Sequence, residues 1–210
     1  DLGLHLVRTQ ALRAGGSLSA VTARLTSAAR VATHLVPATD DALRTQIVTP
    51  AGTFPFQEWF VARAHRDEVD AVQYEGAESA HPAPGALEAL AGAEAIVIAP
   101  SNPYVSIGPI LAVREIRDAV AARRVPCVAV SPLIGGRAVS GPLDRMLSRM
   151  AGGTTPAQVT GCYKGLIDAL VIDEADAPAE AAVPLVVTRT LMADRDAARR
   201  LAEAVLEATR

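Results

Sequence analysis

The chain has 210 residues, 50% of them apolar and 20% charged, with a formal net charge of −3. That length is enough to bury a sizeable core in one domain, and the slightly acidic balance offers no global field to nucleic acid. Cys127 and Cys162 are too few to staple such a domain, no run reaches about 18 apolar residues and no signal peptide opens the chain, so we expect a cytoplasmic protein without a nucleic-acid or membrane partner.

In chain order, "DLGLHLVRTQALRAGG" is in helical register at Leu2, Leu6 and Leu12 and stops at Gly15-Gly16. The segment begins without methionine and already inside a helical pattern, the mark of a fragment. Ser17 is placed to cap a second helix, "LSAVTARLTSAARV", and "THLVP" reads as a short strand. "RTQIVTP" and "TFPFQEWFVA" read as two strands around the Pro50-Ala51-Gly52 turn, with "AVQYEG" a third. The period then alternates: helix "PGALEALAGA", strand "AIVIAP", helix "GPILAVREIRDAVAARR" broken near Val113, strand "PCVAVSP". Short helices "GPLDRMLSRM" and "PAQVTGCY" follow, then strands "DALVIDE" and "PLVVTRT" and a final helix capped by Asp194. Apolar strands alternating with helices predict an α/β fold, with a parallel sheet covered on both faces and an antiparallel hairpin insertion over residues 33–75 of a single 1–210 domain.

Two strand-to-helix elbows stand out. "AIVIA" runs into Pro100-Ser101-Asn102-Pro103 and then Ser106-Ile107-Gly108-Pro109; "CVAVS" runs into Ser131-Pro132, Gly135-Gly136 and then Ser140-Gly141-Pro142. Each offers a serine at an expected helix cap, a glycine for close backbone approach and a proline suited to a first helical turn. In open parallel sheets ligands gather outside the carboxyl ends of the strands. A capping role alone accounts for one such elbow; two at equivalent places point to a phosphorylated ligand. The expected contacts are Ser101, Asn102, Pro103, Ser106, Gly108, Ser131, Gly135, Gly136, Ser140 and Gly141.

"PSNPYVSIGPIL" together with "AVSPLIGGRAVSGP" resembles the 2-phospho-L-lactate transferase family of coenzyme F-420 biosynthesis. "HLVRTQALRAGGSLSAVTARL", "LVPATDDALRTQIVTPAGTFPFQEWFV" and "TRTLM" extend the resemblance through nearly the whole chain. It implies a Rossmann-like three-layer sandwich with a mostly parallel sheet, and a homodimer. It also implies a reaction: a GDP-linked lactate or enolpyruvate gives its phospho-acid group to the ribityl hydroxyl of a deazaflavin alcohol, GMP leaves, and magnesium assists. The family places a strand, a Gly-rich phosphate loop and acidic residues ahead of the first helix. Of that front only Asp1 has a counterpart here, so the catalytic set is incomplete and the catalytic residues stay unassigned. A non-catalytic nucleotide-binding or regulatory relative of the same fold is the rival reading.

Other candidates carry two meanings each. Asp40 and Asp41 form a carboxylate pair that suits magnesium, and equally suits a turn or helix cap. His5 and Arg8 share one helical face at i, i+3; solvated surface is the plain reading, and the resemblance adds a ligand role. Phe54, Phe56, Trp59 and Phe60 read as core and hairpin packing, or as a cover for a deazaflavin ring. Asp173, Glu174 and Asp176 read as a solvated loop.

Overall fold

Strands and helices alternate as the pattern predicts in the computed structural model, which describes residues 2–210. Helices α1 (Leu2–Arg13) and α2 (Leu18–Ala28) come first. The Ser17 side chain caps α2 by accepting from Ala20 N. α1 buries none of its residues, and Leu2, Leu4, Leu6 and Val7 are exposed. Strands β1 (Arg44–Thr49), β2 (Gly52–Pro55) and β3 (Ala71–Glu75) form an antiparallel sheet in the order β2-β1-β3. Thr49 pairs with Gly52 across the Pro50-Ala51 loop. "THLVP" is not a strand, and the second hairpin strand ends at Pro55. The chain instead winds into a π-helical turn, Glu58–Ala62, because Trp59 drops into a cluster with Ile47 and Val69 rather than continuing the ladder.

Helix α3 (Ala86–Ala91), strand β4 (Ile96–Ile98), a second π turn (Pro103–Ile107), α4 (Gly108–Leu111) and α5 (Arg114–Ala121) come next. The break expected near Val113 is real: Val113 has extended backbone and separates α4 from α5. Strand β5 (Cys127–Val130) leads to a two-stranded hairpin, β6 (Leu133–Ile134) and β7 (Arg137–Ala138), then to α6 (Leu143–Ala151) and α7 (Pro156–Cys162). β8 (Ala169–Asp173), a 3₁₀ turn (Glu174–Asp176), β9 (Leu185–Thr188) and α8 (Arg195–Glu207) complete the chain, and Asp194 caps α8 by accepting from Ala197 N.

The four strands β4-β5-β8-β9 pair in parallel, with β4 at one edge. Strand alternation sends Cys127, Ala129, Leu170 and Ile172 to one face, against Val120, Leu143, Leu147, Val159 and Tyr163 from α5, α6 and α7 or their ends. The other face carries Val128, Val130 and Val171, covered by Leu201 and Val205, one turn apart on α8. Burying each such side chain contributes about 1.5–3 kcal/mol. On α6, Leu143 and Leu147 face the sheet, whereas Met146 joins Trp59, Ile47 and Val69 of the insertion. One helix thus holds both layers, and the loops at the carboxyl ends of β4 and β5 meet the insertion beside it.

Candidate functional site

The two elbows share one cleft of about 510 Å³, a size suited to a small organic ligand. After β4 the chain turns tightly, with Ser101 N donating to Ala99 O at 2.7 Å. Asn102 then starts the second π turn. Its Oδ1 accepts from Tyr104 N at 2.9 Å and Val105 N at 3.3 Å, and Pro103 fills the first position, where no N–H is needed. The cap expected of Ser106 therefore belongs to Asn102, and Ser106 lies inside the turn. Freed from capping, Ser106 lines the cleft with Ser101, Asn102 and Val105.

The second elbow also differs from the expected cap. α6 starts after Pro142, and no side chain caps it, Ser140 included. Ser140 is exposed in a bend, and Gly141 takes a φ of 75°, open to glycine and costly for L residues. Both still line the cleft, together with Ser131, whose Oγ accepts from Leu133 N at 3.2 Å. Gly135 and Gly136 do not line it. With φ of 58° and 71° they are the two-residue turn of the β6–β7 hairpin, and Gly136 N donates to Asp176 Oδ1 at 2.7 Å. Pro103 is buried, and Gly108 faces the insertion. A methyl group there would run into the Tyr74 hydroxyl, which donates to Tyr104 O at 2.6 Å. Gly108 is thus a point of close packing.

The remaining walls carry residues from outside the two elbows. Phe56 and the π-turn residue Phe60 stack at 5.3 Å between ring centroids, with an interplanar angle of 27°, and both rings border the cleft. Trp59 alone of that segment is fully buried. Thr190, Leu191 and Met192, beyond the carboxyl end of β9, form another wall. Asp173 fixes them. Its Oδ2 accepts from Thr190 N at 2.8 Å and Thr190 Oγ1 at 3.1 Å, and its Oδ1 accepts from Ala175 N at 3.0 Å. Burial pushes the Asp173 carboxyl up, but the bonds from Thr190, Ala175 and the Arg189 charge outweigh it and hold it below the usual carboxylate range. Asp173 and Asp176 are therefore structural acceptors and not a solvated loop; Glu174 pairs with Arg189 at the surface.

No residue lining the cleft, among those described, is charged. Asp40 spends both oxygens on Ser19, at 2.6 Å to N and 2.6 Å to Oγ, which closes the start of α2. Asp41 accepts from His81 N at 2.8 Å, and that bond lowers its pKa. Neither borders the cleft, and among the described residues no group of three or more His, Cys, Asp or Glu is placed to hold a metal ion. His5 and Arg8 sit on exposed α1, away from the cleft lining. Asp1 lies outside the described residues. Burial raises Cys127 to about 11 and raises Cys162 as well, so neither is a thiolate nucleophile at neutral pH. The arrangement is a neutral, hydroxyl-rich cleft with one aromatic wall.

Comparison with known proteins follows the same lines. The sequence matches the family described as 2-phospho-L-lactate transferase CofD over residues 1–208. It is 40% identical to a phosphoenolpyruvate transferase of Streptomyces griseus, covering 99% of this chain and 68% of that protein. A phosphoenolpyruvate transferase of Kitasatospora aureofaciens is 44% identical over 87% of this chain and 59% of its own length. A 2-phospho-L-lactate transferase of Methanococcoides burtonii is 33% identical over 98% and 68%. Among solved structures, protein BH3568 of Bacillus halodurans superposes with a TM-score of 0.68 at 16% identity, over 96% of this chain and 70% of that one, a likeness of fold.

Proposed function

Since the chain belongs to the 2-phospho-L-lactate transferase family, a family of coenzyme F-420 biosynthesis, we propose that its cleft holds a deazaflavin alcohol for attack on a GDP-linked phospho-acid. The ribityl hydroxyl attacks the phosphorus bearing the acid, the bond to the GMP phosphate oxygen breaks, GMP leaves, and a phosphodiester remains. The donor carries enolpyruvate in this reading, because the relatives at 40% and 44% identity are named phosphoenolpyruvate transferases and the one at 33% a 2-phospho-L-lactate transferase. The same reading makes the protein a homodimer in the cytoplasm, on family grounds. No helix among the described residues is long and apolar enough to cross a membrane.

The observation that carries the reading is the make-up of the cleft: stacked Phe56 and Phe60 beside Ser101, Ser106, Ser131, Ser140 and Thr190, with no charged side chain among the described lining residues. A flat conjugated ring gains from an aromatic neighbour. A polyol chain gains from hydroxyls, each of which both donates and accepts. Holding the attacking alcohol in line supplies much of what phosphoryl transfer requires of a protein. Asp40 and Asp41 lie outside the cleft lining, and Asp40 already accepts from Ser19 with both oxygens, so no step runs through them.

The test is GMP release by the full chain with deazaflavin alcohol and, in turn, GDP-linked enolpyruvate and lactate, with the product identified by mass. Phosphodiester formation with a clear preference for enolpyruvate is expected. No GMP release with either donor, or release that ignores the acceptor, would overturn the proposal.

A further inference from the structure

The aromatic wall of the cleft is tied from behind by α6. Just after the first π turn come two consecutive residues with positive φ, Ala64 at 50° and His65 at 43°. L residues pay about 1–2 kcal/mol each for that conformation, and it persists only where the surroundings over-determine it. Within the insertion, His65 N donates to Trp59 O at 2.8 Å, and Arg63 holds Asp67 through two bonds of 2.7 Å. From outside comes Arg145 of α6. Its Nη2 donates to the His65 carbonyl and lies 3.3 Å from His65 Nδ1, and its Nη1 lies 3.5 Å from Arg66 O.

The His65 ring lies 5.0 Å from the Phe60 ring at an interplanar angle of 32°, and Phe60 stacks on Phe56. A continuous series of contacts therefore runs from Arg145 through His65 to the two rings bordering the cleft. The helix that carries Arg145 is the one that the Ser140-Gly141-Pro142 elbow opens. Arg145 does not border the cleft itself. One turn further along α6, Arg149 makes a separate tie, 2.7 Å to Asp70 and 3.3 Å to Glu68. Besides the packing of Met146 in the Trp59 cluster, two polar ties thus hold the insertion to α6, and of these two only the Arg145 tie ends on the aromatic stack.

We propose that Arg145 is a positioning residue for the acceptor: acting through His65, it sets the Phe60–Phe56 wall at the spacing from the second elbow that a flat ring needs. The proposal rests on the reading that this wall receives the deazaflavin. Loss of the tie lets His65 relax and the stack swing, which weakens acceptor binding and leaves donor binding alone.

The experiment is steady-state kinetics of the full chain, varying acceptor and donor separately, for Arg145→Ala, Arg145→Lys, Arg149→Ala and Phe60→Ala. Arg145→Ala should raise the acceptor KM about fivefold to tenfold, the scale of one hydrogen-bonded anchor, with the donor KM within about twofold. Arg145→Lys, which keeps one donor in reach of the His65 carbonyl, should fall between it and the parent, and it replaces Arg145→Ala if that variant is insoluble. Arg149→Ala should leave the acceptor KM within about twofold, since its tie ends elsewhere. Phe60→Ala separates the two ideas. If it raises the acceptor KM while both Arg145 variants match the parent, or if Arg149→Ala acts as strongly as Arg145→Ala, the positioning role is refuted and the aromatic wall stands. If Phe60→Ala leaves the acceptor KM unchanged, the wall reading falls and takes this proposal with it.

Discussion

Replacing Asp173 by Asn removes one charge and one acceptor from the strut beneath Thr190–Met192. The side chain is buried, and its two oxygens take three donors: Thr190 N, Thr190 Oγ1 and Ala175 N. An asparagine keeps one carbonyl oxygen and turns an NH2 toward whatever donor remains, so either Ala175 N or Thr190 N is left facing another donor. Losing one charge-assisted bond and orphaning one N–H costs about 2–4 kcal/mol in total. For a chain of this size each kcal/mol lowers Tm by about 2–4 °C, so the fall should be about 4–16 °C. The pH dependence has a definite sign. The folded carboxyl is depressed below its ordinary value, so its stabilisation is fully present above the unfolded pKa of about 3.9 and is lost as pH falls through the folded one. The parent and Asp173→Asn should therefore differ most near neutrality and converge in acid. Urea unfolding followed by circular dichroism at pH 7 and at pH 3 measures both. A difference under about 0.5 kcal/mol at pH 7, or one that grows toward acid, would refute the strut, since surface substitutions commonly fall within that range.

Asn102→Ala should cost about 1 kcal/mol of stability, because the amide caps the second π turn; thermal melts check it, and an unchanged Tm would show that Oδ1 is free for ligand alone. Gly108→Ala should be destabilising by about 1–3 kcal/mol, since its methyl would meet the Tyr74 hydroxyl and come 2.9 Å from Pro103 O. The double variant with Tyr74→Phe should recover part of that loss in denaturant titrations, and a Gly108→Ala protein as stable as its parent would remove the steric account.

Elements built from local chemistry were legible in the sequence. Ser17 and Asp194 cap their helices, the Pro50-Ala51-Gly52 turn makes its hairpin, and "AIVIA", "CVAVS", "DALVIDE" and "PLVVT" supply the parallel sheet. Where two local solutions compete, the pattern does not choose. Asn102 and Ser106 both precede a proline within three residues; Asn102 wins the cap because Pro103 directly follows it at the first position of the turn. Gly135-Gly136 suits a ligand loop and a two-residue hairpin alike, and the strands flanking it decide for the hairpin. The segment "FPFQEWF" looks like a strand by composition, yet burial of Trp59 against Val69 and Met146 draws it into a π turn and presents Phe56 and Phe60 to the cleft. Asp173 finds Thr190 across 17 residues, a pairing with no local signature. Thr190–Met192 had a signal, since "TRTLM" follows a parallel strand at the sheet edge where ligands gather.

That no described residue lining the cleft is charged bears on how the proposed reaction is shared out. A diphosphate in an uncharged pocket would lose its hydration without gaining a cation, a cost far above what a few hydroxyls return. An alcohol loses little there, because each serine can both donate to and accept from a ribityl oxygen. Ser131 shows the economy: its oxygen already accepts from Leu133 N, and its own O–H remains to be given. On the proposed reading, the residues around the two elbows suit the neutral acceptor, in place of the phosphorylated ligand expected from the elbows alone, and the donor's phosphates would lie at the rim, where water and cations reach them. On that division the contribution of the described cleft is orientation. Effective molarities of about 10⁵–10⁸ M are within reach of well-oriented reactants, provided the ring is held as firmly as the chain. That places the demand on the Phe56–Phe60 stack and on the contacts behind it.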